Sequence, residues 1–468
     1  MTRQPPAPHH PDRPAQALTV LHPHAAGIDS GAAEHYVAVP AAADPRPVRS
    51  FGACTADLEA LADWLAACGV TTVVMESTGV FWVPLFELLE GRGFEVRRVD
   101  ARQLRRIPGR PKSDVLDCQW LQRLHSYGLL AAAFRPDEPV CVLRSYLRQR
   151  AMLVTYAAQH VQHMQKALTQ MNVQLQHVVS DITGVTGLAI VRALLAGQRD
   201  PAELAKLRDD RCRRSAADIA RALHGNGRAE HLFALKQAVE LHDFHRRQLT
   251  ACDRQIERQL KRFADKSGGR ALPPKARRQR RGDNRPTFDA RAALFRMAGV
   301  DLTVIEGIEE ATALTVVSEI GTAMSRWPTV KHFCSWLGLC PGQRISGGKV
   351  LSRRTKPSGN RAAAALRLAA YALHRSQSAL GAFLRRLKAR VGAPKAITAT
   401  AHKLARLVYS LVKHGTAYVT EGMEEYERRY RERAVTNRSR RAKELGYELV
   451  QPGGPGGTAE PAVGATPT

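Results

Sequence analysis

The sequence lacks any long hydrophobic run. No stretch approaches the ~20 consecutive apolar residues that a membrane-spanning helix requires. The N-terminal segment MTRQPPAPHHPDRPAQ is rich in proline and histidine, and it has no apolar core of the kind found in a secretion signal. We therefore expect a disordered leader over residues 1–20 and a cytoplasmic protein.

Closely spaced cysteine pairs are also lacking. The eight cysteines contain no C-x-x-C pair, so their spacings indicate neither a disulfide framework nor a zinc knuckle. We expect reduced thiols that mostly serve in packing. They are Cys54, Cys68, Cys118, Cys141, Cys212, Cys252, Cys334 and Cys340.

Acidic residues are scarce relative to basic ones. Lys and Arg number 70 against 43 Asp and Glu, which gives a formal charge of +27, and the sequence pI is near 10.3. Neutralising phosphates releases condensed counterions, so a polyanion is the expected partner of such a chain. A basic protein whose charge serves solubility alone is the alternative.

Residues 21–135 show a mixed α/β pattern. Strands are predicted near 26–29, 34–39, 71–76 and 94–99, and helices near 56–67, 80–90 and 113–127. Strands that alternate with helices in this order favour a central sheet with helices on its faces.

The middle of the chain, residues 136–265, has a heptad pattern. Arg150 interrupts the seam of the first long helix, and His242 interrupts that of a second helix predicted over 230–263. A helical coiled-coil hairpin or dimer arm, and two helices packed within one subunit, are both open interpretations. The seam residues of the first helix are Leu143, Leu147, Val154, Ala157, Val161, Met164, Leu168, Met171, Leu175 and Val178.

Residues 266–287 form a basic linker rich in proline and glycine, which predicts a domain boundary. A mainly helical C-terminal domain is predicted over 288–416, followed over 417–468 by a basic helix and a disordered tail. Residues 305–321 are similar to a helix-hairpin-helix module. Its second hairpin glycine is replaced by Glu309–Glu310, which favours a purely structural helix pair.

Four acids stand out by their positions. Asp29 and Glu76 end predicted strands, whereas Asp114 and Asp117 open a predicted helix and share one of its faces. Strand ends and a helix start can bring carboxylates together at one edge of a sheet, and such a cluster requires cations, with Mg²⁺ the natural choice. Two ions about 4 Å apart would activate an attacking oxygen and stabilise a leaving one.

The residues around these acids leave a structural interpretation open. Ser113 is a candidate N-cap and Lys112 a candidate phosphate contact. Asp29 could be a simple turn residue, and Asp117 could be a first-turn acid favoured by the helix dipole. Glu76 is the hardest to explain in this way, because it ends a strand after four uncharged residues.

A second group of candidates lies in a C-terminal loop around Ser346. Gly347 and Gly348 would let the backbone approach a phosphate closely, and the flanking cations would supply charge. The cations are Arg344, Lys349, Arg353, Arg354 and Lys356. The loop is not a nucleotide P-loop, because position 343 is Gln and position 350 is Val. A solvated basic hairpin is the alternative.

Three motifs resemble a known family: G-I-D at 27–29, V-M-E-S-T-G at 74–79 and K-S-D-V-L-D at 112–117. They are similar to those of the DEDD-type insertion-sequence transposases of the "one-ten" family, also called bridge-RNA-guided recombinases. Ser113 stands where that family ordinarily has Thr. The resemblance implies a ribonuclease-H-like, RuvC-like N-terminal domain in which the four acids bind metal, namely two Mg²⁺ ions or Mn²⁺.

The C-terminal Gly-Leu-x-Pro run and Ser-Gly-Gly-Lys resemble that family's transposase domain, and its nucleophilic serine maps to Ser346. The resemblance implies a covalent phosphoserine with double-stranded DNA, a guide RNA, and a bacterial protein associated with the nucleoid. Strand exchange between two duplexes favours a homodimer or homotetramer. A Holliday-junction-resolvase-like nuclease, which would not need Ser346, and a non-catalytic packaging protein are the alternative functions.

Overall fold

A five-stranded mixed sheet forms the centre of the N-terminal part of the chain. The structure, a computed structural model, describes residues 18–76, 79–100, 113–274 and 284–448, and the chain divides into two compact units after Arg135. The strands are β1 (Ala25–Ser30), β2 (Glu34–Ala38), β3 (Val48–Gly52), β4 (Thr72–Glu76) and β5 (Glu95–Val99). The helices are α1 (Thr55–Ala67), α2 (Trp82–Gly91) and α3 (Asp114–Ser126).

The strand order is β3-β2-β1-β4-β5. Strands β1, β2 and β3 pair in antiparallel fashion, whereas β4 is parallel to β1 and β5 is parallel to β4. This mixed α/β sheet is consistent with the ribonuclease-H-like fold that was expected. Strand β3 has no counterpart in the prediction, because its sequence VRSFG is half exposed and shows no alternation of apolar residues.

The two faces of the sheet are covered by different helices. Apolar residues of β1, β2 and β4 form one core with α1 and α2, and Ile28 and Met75 are fully buried in it. On the other face, Val74 and Val99 pack with Leu121 and Leu124 of α3. The central strands β1 and β4 are therefore covered on both sides, which explains their mainly apolar sequences.

In its described residues, the second unit consists of helices and one two-stranded hairpin. Its first part contains α4 (Glu138–Gln170), α5 (Leu175–Val178), α6 (Val185–Leu195), α7 (Pro201–Ala205), α8 (Ala216–Ala222) and α9 (Ala229–Lys261). Then follow α10 (Ala290–Ala298), α11 (Glu310–Ile320), α12 (Val330–Trp336), β6 (Arg344–Ser346), β7 (Lys349–Ser352), α13 (Arg361–Ala372), α14 (Ala379–Val391), α15 (Ala393–His414) and α16 (Thr416–Glu444). No helix in the described ranges is both long enough and apolar enough to cross a membrane.

The long helices α4 and α9 pack against each other, and the segment between them folds back as short helices. Met164 and Leu168 of α4 share one core with Ile190, Leu204 and Ile219 of that segment. The prediction of one heptad helix reaching Val178 is wrong: α4 ends at Gln170, and Val178 lies on α5. The helix stops where Asn172 adopts a left-handed φ of 59°.

The polar residue in the predicted seam has a buried partner. Arg150 of α4 pairs with Asp253 of α9 at 2.5 Å, and the Asp253 side chain is 1% exposed. Arg150 Nη2 also donates to the carbonyl of Asn284, and the Thr287 amide donates to Asp253 Oδ2. The end of the predicted linker is thus held against this helix pair.

The helix-hairpin-helix-like segment has a packing role. Gly307 has a φ of 88°, and a Cβ there would lie 3.0 Å from Leu373 Cγ and 3.1 Å from the Ala369 carbonyl oxygen. The loop before α11 therefore sits directly on α13 and the turn that follows it. This contact agrees with the structural interpretation of residues 305–321.

Candidate active site

Two of the four acids lie on neighbouring parallel strands. Gly27 pairs with Val74 and Ile28 with Met75, so the next residues, Asp29 and Glu76, come side by side where both strands end. Side chains alternate along a strand. Because Ile28 and Met75 face the core under α1 and α2, Asp29 and Glu76 face the side that α3 covers.

Helix α3 brings the other two acids to the same end of that face. His125 Nε2 lies 2.9 Å from the hydroxyl of Thr72 at the start of β4, and Leu121 packs on Val74 in the middle of it. The helix therefore runs against the direction of β4, and its N-terminal turn lies at the strand ends. Asp114 and Asp117 occupy that turn.

The close approach of α3 to the sheet depends on Gly27. A Cβ at this position would lie 2.2 Å from the backbone nitrogen of Gln122 and 2.4 Å from the carbonyl oxygen of Cys118. Only glycine leaves room for a helix backbone at such a distance. The G-I-D motif contains Gly27 but did not predict this role, although a glycine inside a strand is a signal of close backbone approach.

The start of α3 is fixed by its cap. Ser113 has extended backbone angles, and its hydroxyl accepts a hydrogen bond from the Leu116 amide at 3.3 Å, which confirms the predicted N-cap. Asp117 is 9% exposed, whereas Asp114 is exposed. Lys112, the predicted phosphate contact, lies outside the described residues.

The pKa values of two neighbouring groups support the proximity of Asp29 and Asp114. Burial raises the pKa of the Cys118 thiol to about 12, and the negative charges of Asp29 and Asp114 add to the increase. The pKa of the Tyr36 hydroxyl is also raised, mainly by Glu34 and in part by Asp114. Tyr36 is paired with Asp29 across β1 and β2, so Asp29 and Asp114 act on a common neighbourhood. Sequence analysis missed Tyr36, because nothing in its local sequence marks it.

The donor chemistry of this cluster suits a hard cation, because all four side chains offer carboxylate oxygens. Asp29, Glu76 and Asp117 each already take part in an interaction within the chain. Among the residues that the structure describes, no three acidic, histidine or cysteine side chains are arranged to hold one metal ion. The acids therefore share one end of one sheet face without forming a closed coordination shell.

The Ser346 segment is a two-stranded hairpin. Strands β6 and β7 are antiparallel, with Ser346 paired with Lys349 at the last position before the turn. Gly347 and Gly348 form the turn with φ of 53° and 74°, which matches a two-residue turn with both residues left-handed. The glycines thus have a conformational role in addition to the predicted one, and they place the Ser346 hydroxyl beside the tip.

The cations of the hairpin are available to a ligand. All five predicted phosphate contacts are exposed, and in the ranges that the structure covers none of them makes an ion pair. They are Arg344, Lys349, Arg353, Arg354 and Lys356. At the base of the hairpin, Pro341 is bridged to Thr355 and the Gly342 amide donates to the Arg354 carbonyl. The arrangement is a basic hairpin held at its base and open at its tip.

Comparison with known families matches both segments. Residues 26–173 match the IS110-type DEDD transposase model, described as "Transposase", and residues 299–385 match the model described as "Transposase IS116/IS110/IS902 family". The first range contains the four acids, and the second contains the Ser346 hairpin. A comparison with curated proteins gives no match. The two family matches identify the chain as a DNA transposase that belongs to the IS110 family of DEDD transposases.

Proposed function

We propose that this transposase cuts and rejoins DNA through the four-acid cluster and Ser346. The observation that carries the proposal is the convergence of Asp29 and Glu76 with the first turn of α3 at one end of one sheet face. Carboxylates that converge at one end of a sheet face repel one another, and bound cations would offset that repulsion.

In the proposed reaction, the Ser346 hydroxyl oxygen attacks a DNA phosphorus atom. A serine–phosphate bond forms, the bond from phosphorus to a deoxyribose oxygen breaks, and the serine proton leaves while the departing oxygen gains one. Lys349, directly opposite Ser346 in the hairpin, is placed to neutralise charge that develops on the phosphate. Arg344, Arg353 and Arg354 would hold the flanking phosphates.

The four acids, Asp29, Glu76, Asp114 and Asp117, are the residues that would hold a divalent metal, which we propose to be Mg²⁺, as two ions, with Mn²⁺ as a substitute. When bound, the metal supplies Lewis acidity at the reacting phosphate. The protein's own contribution is to fix the carboxylates, since Gly27 and the Ser113 cap set the position of α3.

Two partners complete the proposal. The family resemblance supports a bridge RNA that selects the DNA sites by base pairing. It also supports a homodimer or homotetramer, because strand exchange joins two duplexes. The formal charge of the chain, +27, favours the simultaneous binding of RNA and DNA.

Covalent trapping tests the proposal. Protein, Mg²⁺, DNA carrying the ends of the insertion sequence, and RNA from its non-coding flank are combined and separated on a denaturing gel. We expect a protein–DNA adduct that disappears with Ser346→Ala, with Glu76→Gln and with a chelator. Ser352→Ala is the matched control, because Ser352 lies on the same hairpin and the adduct should survive its loss.

The outcomes separate the alternatives. Metal-dependent cleavage without an adduct, unchanged by Ser346→Ala, would make the protein a junction-resolvase-like nuclease. DNA binding that survives Glu76→Gln with no cleavage by the wild-type protein would support the packaging alternative and contradict the proposal.

A further inference from the structure

Helix α13 has an exposed face that the proposed chemistry does not use. Leu368 is 71% exposed and Tyr371 is 65% exposed, one turn apart on the same side of the helix. Arg361 lies two turns before Leu368 on this side, and Arg375 lies in the 3-10 turn that follows the end of α13. Single exposed apolar residues are common on proteins, but an aromatic and an aliphatic side chain between arginines form a defined surface.

The opposite face of α13 is buried in the core. Leu366, Ala369 and Ala370 are buried there, and the Gly307 loop lies against Ala369 and Leu373. An acid close to the end of α13, Glu306, accepts a hydrogen bond from the Ser376 hydroxyl. Exposure of Leu368 and Tyr371 is therefore not a consequence of a poorly filled core.

The charge around this face has one sign. Residues 320–420 contain 18 Lys and Arg and no Asp or Glu. From α14, Arg385 donates to the His374 carbonyl at 3.0 Å, and Lys388 Nζ lies 3.2 Å from His374 Nε2, so both cations adjoin the C-terminal end of α13. A ligand on Tyr371 would meet positive charge at both ends of the helix face.

These features fit an unpaired polynucleotide. Arginines bind the phosphates, while a tyrosine ring and an aliphatic neighbour offer a stacking surface to bases, which a paired duplex keeps hidden. A DNA transposase acts on strands that separate during cutting and joining. We infer that the Leu368–Tyr371 face of α13 binds an unpaired segment of the DNA substrate, with Tyr371 stacked on a base and Arg361 and Arg375 on the backbone.

The test compares single-stranded with paired DNA on the full-length protein. Fluorescein-labelled oligo(dT) and a duplex of equal length are titrated by anisotropy for the wild type, Tyr371→Ala and Tyr371→Phe. Stacking of one base contributes about 1–3 kcal/mol, so we expect Tyr371→Ala to lower the preference for single strands roughly 5- to 150-fold. Tyr371→Phe should retain the preference, because it keeps the ring.

A control variant and a direct mapping keep the outcome unambiguous. Tyr447→Ala removes a tyrosine that is 73% exposed elsewhere, and it should leave the preference unchanged. In photo-crosslinking with 5-iododeoxyuridine oligonucleotides, the adduct should map to Tyr371. Arg375→Gln should reduce the salt dependence of oligo(dT) binding more than that of duplex binding.

Several results would overturn the inference. An unchanged single-strand preference in Tyr371→Ala, or an effect on oligo(rU) with oligo(dT) unaffected, would remove DNA as the ligand of this face. A change of oligomeric state in Tyr371→Ala with DNA binding intact would assign the face to a second copy of the chain. None of these readouts depends on Ser346 or on metal binding, so they are independent of the proposed reaction.

Discussion

At the scale of single residues, Gly27 sets the geometry of the acid cluster. A Cβ at this position would clash with the backbone of α3, 2.2 Å from the Gln122 nitrogen. We expect Gly27→Ala to push α3 away and to displace Asp114 and Asp117. Overpacking of this kind costs about 1–3 kcal/mol. Urea unfolding should therefore show lower stability, and DNA cleavage should be lost even where the protein remains folded.

Gly91→Ala is the matched control for this substitution. Gly91 ends α2, and a Cβ there would meet nothing within 4 Å. Alanine should be neutral or slightly stabilising, because it lowers the entropy of the unfolded chain. If Gly27→Ala proved as stable and as active as Gly91→Ala, α3 would not lie on β1 as described.

His125 is a buried titratable residue at the other end of α3. It is 0% exposed and hydrogen-bonded to the Thr72 hydroxyl. Burial lowers its pKa from 6.5 to about 4, and the charges of His22 and Arg97 contribute. The unfolded chain therefore takes up a proton as the pH falls through 6.5, while the folded chain does not until about pH 4. Stability is lost in this window as the pH falls.

We expect this residue to cost the sheet unit roughly 1 kcal/mol of stability at pH 5.5, and about 3 kcal/mol by pH 4. Hydrogen exchange of α3 peptides at pH 7.5 and 5.5, corrected for the intrinsic rate, measures the loss. His125→Gln retains a hydrogen-bonding side chain without titrating. Its loss of stability between pH 7.5 and pH 5.5 should therefore be smaller by roughly 1 kcal/mol. Equal losses of stability in the wild type and in His125→Gln would show that His125 is not the source of the pH dependence.

The residues of the site differed in how far the sequence could locate them. Asp29 and Glu76 were predictable at strand ends, because the preceding apolar runs are local signals, and Ser113 was predictable as a cap. The requirement for Gly27 and the burial of His125 were not predictable. Each depends on a partner more than fifty residues away in the chain, and no local pattern encodes that contact.

At the scale of elements, periodicity predicted the helices and strands of the sheet unit apart from β3. Strand β3 is an edge strand of the sheet, next to β2, and its side chains are only partly buried. Its sequence therefore shows no alternation of apolar and polar residues. The opposite error occurred at the end of α4. Leu175 and Val178 continue the heptad spacing but belong to the shared core with α6 and α8, so spacing alone could not locate the break at Asn172.

The Arg150–Asp253 pair is the element-scale feature with the largest expected effect on stability. It joins α4 to α9, and Asp253 is almost fully buried. Removing one partner leaves an uncompensated buried charge, which costs about 3–5 kcal/mol. We expect Arg150→Met to lower the free energy of unfolding of the helical unit, measured in urea, by that amount and to loosen the backbone at Asn284 and Thr287, which bond to the same pair.

A double-mutant cycle isolates the pair. Arg150→Met with Asp253→Leu replaces both charges by apolar groups, so it should recover most of the stability that the single variant loses. Arg192 and Asp243 form a more exposed pair, for which the same cycle should give less than about 1 kcal/mol. Comparable coupling energies for the two pairs would contradict the buried description of Asp253.

At the scale of the whole molecule, charge is divided unevenly between the two units. Residues 1–135 contain 14 basic and 14 acidic side chains, so their net charge is zero and the entire +27 lies in residues 136–468. The overall charge predicted a polyanionic partner, but only the division into units gives this distribution a structural meaning. The neutral unit carries the acids, and the basic unit carries the hairpin and α13.

This division predicts where DNA of arbitrary sequence will contact the full-length protein. Non-specific binding is dominated by phosphate neutralisation. Most photo-crosslinks to a random duplex should therefore map to residues 136–448, and the affinity should fall steeply as salt is raised from 50 to 200 mM. Substituting Arg386 and Arg390, both exposed on α14, by Gln should reduce the log–log salt slope by roughly one to two. Crosslinks concentrated in residues 18–135, or a slope unchanged by these substitutions, would mean that the neutral unit holds the duplex and that the basic unit serves another ligand.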